Sequence, residues 1–125
     1  MKKLLIFCLP LALLYACGEK PHKTELINDK GSDSLTITSL RDTFNKFKGS
    51  YYVSAMVKNL GKTKAENFMV QAKYIDKVGD IVAETSSGAG KTIAPGDSLL
   101  IENTYDFQSY NNVPYKVKVS VKSMF

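Results

Sequence analysis

Tyr115-Lys116-Val117-Lys118-Val119-Ser120-Val121-Lys122 is the stretch that decides the fold. Tyr115, Val117, Val119 and Val121 alternate with Lys116, Lys118, Ser120 and Lys122. A period of two belongs to a β-strand, whose successive side chains point to opposite faces. One face is therefore buried. The other is rich in lysine, which discourages edge-to-edge pairing.

The same period recurs upstream. Residues 98–104 read as a strand, entered through Ala94-Pro95-Gly96-Asp97. That tetrad is a tight turn, because proline presets φ and glycine accepts positive φ. Residues 81–85 read as a short strand after the turn Asp76-Lys77-Val78-Gly79-Asp80. Phe68, Val70, Ala72 and Tyr74 share one face of a strand over 66–75, and Tyr51, Val53, Ala55 and Val57 one face of a strand over 51–59. Leu60-Gly61-Lys62-Thr63-Lys64 is the turn between them. Residues 34–40 alternate again in β-favouring types, whereas 41–49, with Phe44 and Phe47, read equally as strand, turn or short helix. No stretch carries an amphipathic helical pattern. Six or seven short strands at spacings near ten residues predict an all-β fold: an antiparallel β-sandwich of immunoglobulin type, of about seven strands, over residues 35–125. Its core is expected from Val53, Ala55, Val57, Phe68, Val70, Ala72, Tyr74, Ile81, Leu99, Ile101, Val117 and Val119.

Three segments add a family likeness. They are Val57-Lys58-Asn59-Leu60-Gly61 followed by Ala65-Glu66-Asn67-Phe68 and Val70, then Tyr74 to Val82, then Ile93-Ala94-Pro95-Gly96-Asp97-Ser98. Their order resembles the FxLYD domain family and, more loosely, the CARDB group of bacterial adhesion-related modules. The resemblance spans roughly residues 51–121 and implies an immunoglobulin-like sandwich. Neither family brings a shared catalytic site to carry over, and a shared fold does not fix a function.

The amino-terminal segment is an address. Met1-Lys2-Lys3 is positive, and residues 4–14 are apolar and contain Pro10. Eleven apolar residues fall short of the roughly 20 that a membrane-spanning helix needs. The segment reads as a secretory signal peptide over 1–16. Leu14-Tyr15-Ala16-Cys17 resembles a bacterial lipobox. The resemblance implies cleavage before Cys17, a diacylglyceryl thioether on its sulfur, and attachment to a membrane. By analogy with lipoprotein sorting, Gly18 rather than Asp after the cysteine favours the outer membrane where the cell has one. Cys8 would be discarded with the leader, so no disulfide would remain. Cleavage leaves 109 residues and removes Lys2, Lys3 and no acid, so the formal charge falls from +5 to +3. That excess is too slight for a nucleic-acid binder. Residues 17–34, the cysteine and a polar, turn-rich stretch, read as a flexible tether with a reach of about 23 Å. Within it, Leu26-Ile27 either docks on the domain or begins an early strand, and His22 is expected to be solvated.

Candidate chemistry is sparse. Gly88-Ala89-Gly90-Lys91-Thr92 has the tail of a phosphate-binding loop, but Thr85 stands at its first glycine position and Pro95 follows too soon for a helix. Asp76 and Asp80 read as turn residues rather than calcium ligands. With one histidine and two cysteines, neither metal nor any other cofactor is expected, and catalysis is not expected either. The candidate binding loop is Tyr105, Phe107, Tyr110, Asn111 and Asn112. Tyrosines and asparagines in a loop supply contact area and adaptable hydrogen bonds. The competing reading has these aromatics capping one end of the sandwich. The expected function is a lipid-anchored, non-catalytic sandwich that binds a protein or envelope-polymer partner. The alternatives are a structural subunit of an envelope complex, or a small enzyme using the Lys91 loop.

Overall fold

Alternating β-branched and aromatic residues can bury one face only by pairing with neighbouring strands and stacking on a second sheet. The computed structural model, which describes residues 22–29, 34–107 and 112–123, shows how this chain does so. Seven strands run in the order β1 (Glu25–Asn28), β2 (Leu35–Asn45), β3 (Ser50–Asn59), β4 (Phe68–Ile75), β5 (Ile81–Ser87), β6 (Ser98–Asp106) and β7 (Lys116–Ser123). They form two sheets, β1-β7-β4-β5 and β2-β3-β6. Each hairpin, β2–β3 and β4–β5, stays within a sheet, and the other connections cross between sheets. This is an immunoglobulin-like sandwich. All its pairings are antiparallel except one: β1 lies parallel to β7 at the edge of the first sheet, with Glu25 opposite Lys116 and Asn28 opposite Val119.

The parallel strand revises the tether. Residues 25–28 belong to the sheet, and backbone bonds from Glu25 N to Tyr115 O (2.9 Å) and from Asp29 N to Val119 O (2.8 Å) fix both ends. The expected linker is thus built into the fold over 22–29. Leu26, half-buried, packs on the core. His22 is not a free linker side chain either: its ring stacks on Tyr115 at 3.6 Å, and its Nε2 lies 3.1 Å from Pro114 O.

Two bulges decide which residues face inward. Leu35 and Ile37 point into the core, but the register with β3 shifts between Ile37 and Ser39. The extra residue turns the strand over, so Leu40, Asp42 and Phe44 become the inner positions. Residues 41–45 are therefore strand and 46–49 a tight turn. A second irregularity lies where Tyr74 pairs with Ala83 and Ile75 with Ile81, leaving Val82 extra. Ile81, expected in the core, is 52% exposed for this reason. Leu99 is half-buried rather than buried. The other expected core residues are buried, joined by Leu35, Ile37, Tyr51, Ile75, Ile93, Phe107, Val113 and Val121.

The end of the sandwich away from residue 107 is organised by Asn59, buried at the close of β3. Its Nδ2 donates to Thr63 O and Ile93 O, both at 2.9 Å, and its Oδ1 accepts from Gly61 N at 2.8 Å. The next turn closes with Asp97 N donating to Ala94 O, and Gly96 takes φ +82°, as the Pro-Gly pair predicts.

Asn59→Ala removes three hydrogen bonds made by one buried side chain and is expected to cost about 2–4 kcal/mol. Val119→Ala, at a fully buried site, is expected to cost about 2 kcal/mol, whereas Ile81→Ala should cost under about 1 kcal/mol. Urea denaturation of the three variants measures this order. Equal losses at Ile81 and Val119 would contradict the bulge.

Candidate functional site

Packing between the sheets near residue 105 builds a floor of aromatic rings. Tyr105, half-buried on β6, stacks on Tyr74 of β4 with ring centroids 4.5 Å apart. Tyr74 meets Tyr51 edge-on at 6.3 Å. Phe107 stacks on Phe44 at 5.6 Å and lies 6.3 Å from Tyr105. Offset and edge-on arrangements are those the ring quadrupoles prefer.

This settles part of the expected binding loop. Phe107 is 3% exposed and caps the core, so its side chain presents no surface to a partner. Tyr105 is divided: one face packs on Tyr74 and the rest borders a depression. Asn112 is exposed, and its Nδ2 donates to Phe107 O at 3.4 Å. Tyr110 and Asn111 lie outside the described residues, as does Cys17.

Beside Tyr105, the β4–β5 turn, Val82 and residues 112–115 line an open depression of about 450 Å³. Asp76, Lys77 and Val82 line one side, Tyr105 and Asn112 another, and Pro114 and Tyr115 the third. The turn is rigid: Asp76 Oδ1 accepts from Val78 N (3.0 Å) and Asp80 N (2.9 Å), while Gly79 N donates to Asp76 O at 3.2 Å. The turn reading of Asp76 and Asp80 therefore holds. Lys77, Val82, Pro114 and Tyr115 were not among the residues of the expected binding loop. They converge only because Tyr115 N donates to Ile75 O at 2.9 Å, joining segments 40 residues apart. Lys77 supplies an ammonium, Tyr105 and Tyr115 supply phenol edges, and Asn112 supplies an amide. Such groups bind by hydrogen bonding and stacking.

The Lys91 loop lies at the opposite end. Lys91 N donates to Gly88 O at 3.0 Å, and the chain runs on into a bridge between Ile93 and Ala65, with no helix behind the loop. Gly88 sits at φ +96°, and a Cβ there would approach Ile101 Cδ1 to 3.1 Å, so this glycine is needed for close packing. Among the described residues no three His, Cys, Asp or Glu side chains are grouped to hold a metal ion.

Burial raises the Tyr51 phenol well above the usual tyrosine range. Its hydrogen bond to Asp42 Oδ2 (2.8 Å) and the charge of that carboxylate push the same way. Burial also raises Tyr74, partly offset by Thr85, whose Oγ1 lies 2.8 Å from the phenol, and burial raises Tyr105.

No family model matches the chain, and no curated protein matches it. One solved structure, that of Campylobacter jejuni cj0090, is similar at a TM-score of 0.50 with 12% identity, covering 81% of this chain and 99% of that one. At that identity the likeness concerns the fold alone. Fold and site together define an immunoglobulin-like sandwich with an open depression beside Tyr105 and Tyr115 at one end.

Tyr51 ionises at higher pH when folded than when unfolded. Its contribution to stability is therefore complete below the unfolded value of about 10 and is lost as pH rises from there. Guanidinium melts at about pH 8 and about pH 11 should show a smaller alkaline loss in Tyr51→Phe than in the parent. An equal loss would show that the buried phenol does not set it.

Proposed function

We propose that this chain is a membrane-anchored lipoprotein whose non-catalytic sandwich binds an envelope or extracellular partner. The observation that carries the reading is the depression beside Tyr105 and Asn112. It is concave, partly aromatic and edged by a few polar groups, the composition of a recognition site. The lipobox-like Leu14-Tyr15-Ala16-Cys17 supports the anchor. His22 packs against Pro114 and Tyr115, so the chain from Cys17 would enter the domain beside the depression. His22 is five positions beyond Cys17, a span of at most about 18 Å. A partner would thus be met close to the membrane.

Intact mass of the membrane-extracted protein tests the anchor. A chain that begins at Cys17 with added diacylglyceryl mass is expected, and Cys17→Ser should abolish it. An unmodified chain would defeat the anchor. Photo-crosslinkers at Lys77 or Asn112, in intact envelopes, should capture a defined partner that a crosslinker at Lys91 does not. Both residues are exposed, so Lys77→Ala and Asn112→Ala should leave stability within about 0.5 kcal/mol while lowering capture. Equal capture from Lys91 would remove the depression as the binding site.

A further inference from the structure

Six large apolar side chains are well exposed among the described residues: Phe47, Leu60, Val78, Ile81, Val82 and Leu100. Four of them lie at the end that carries the depression. Phe47, 86% exposed, stands on the β2–β3 turn, and Val78, 79% exposed, stands on the β4–β5 turn. Ile81 and Val82 follow Val78 at the start of β5. The two turns share an end because Phe107 N donates to Gly49 O, while Tyr115 N, eight residues on, donates to Ile75 O.

Neither apolar tip is a loose loop. Asn45 Oδ1 accepts from Phe47 N and Lys48 N, both at 3.1 Å, and Asp76 Oδ1 fixes the second turn. Both turns therefore hold an apolar side chain out into solvent. Each also carries an exposed lysine beside it, Lys48 and Lys77, with Lys23 nearby at the chain entry. An apolar tip flanked by long cationic side chains suits a lipid interface, where the apolar group enters the acyl boundary and the ammonium stays among the headgroups. Asp76 and Asp106 are engaged with the protein's own donors, Asp106 with Ser50 Oγ at 2.8 Å, while the exposed Asp80 sets one negative charge on the same turn as Lys77.

The first described residue, His22, lies at this same end. His22 is bonded to Pro114, which lines the depression together with Lys77 and Val82. We infer that Phe47 and Val78 dock the sandwich end-on against a phospholipid bilayer, their tips reaching about 5–10 Å into the headgroup region. The inference deepens the proposed anchor: a short lipid tether brings these tips to the surface, and their insertion orients the domain.

The test supplies its own tether. A chain starting at Cys17 holds all seven strands and one thiol, which can be coupled to a maleimide lipid in phosphatidylcholine–phosphatidylglycerol vesicles. The protein has no tryptophan, so Phe47→Trp, Val78→Trp and, at the far end, Leu60→Trp each give a single reporter at an exposed site. With brominated lipid present, the reporters at 47 and 78 should shift to the blue and lose intensity, and the one at 60 should do neither. Absence of quenching at 47 and 78, or equal quenching at 60, would overturn the docking. Because the coupling is chemical, the result stands whether or not the mass measurement finds a native lipid on Cys17.

Discussion

Tyr74 reaches from β4 into the space between the sheets, where its ring meets Tyr51 of β3 edge-on and Tyr105 of β6 face-on. Its phenol reaches across its own sheet to Thr85. Both cysteines lie outside the described residues. Within the described residues, the two sheets are joined by packing such as this and by bonds such as Asn103 Nδ2 to Val70 O. The aromatic contact fixes how far apart the sheets stand at that end. Its outer ring, Tyr105, also lines the depression, so one packing arrangement serves stability and shapes the candidate site.

The bulges extend that constraint outward. A period of two can bury one face only while the register is kept. At residue 38 the chain exchanges faces, which brings Asp42 inward to meet the Tyr51 phenol and Phe44 inward to meet Phe107. At residue 82 it gains a residue, which turns Ile81 and Val82 to solvent beside the depression. Each bulge costs the regular ladder one position. Each also gives the same end of the molecule part of its character, as bulges commonly re-aim side chains near functional surfaces.

The parallel strand β1 matters for the same reason. Four residues of pairing would be marginal alone. Here they are anchored by backbone bonds at both ends and by the stacking of His22 on Tyr115. The chain is thereby held against the aromatic end of the sandwich at His22 and paired with β7 over Glu25–Asn28.

Residue order alone determined the all-β class, most strand positions, the Pro95-Gly96 turn and the inner faces of β3, β4 and β7, because alternation, turn chemistry and β-branched content are local signals. It also pointed to residues 105–112, though not to which of those aromatics face inward. Only the tertiary structure decided that Phe107 is core, that β2 continues past its bulge to Asn45, and that Glu25–Asn28 is a strand. Those outcomes depend on contacts between segments 90 or more residues apart, such as Thr24 Oγ1 to Pro114 O. The depression is the clearest case: Lys77, Tyr105 and Tyr115 become neighbours only when β4, β6 and β7 have paired and stacked.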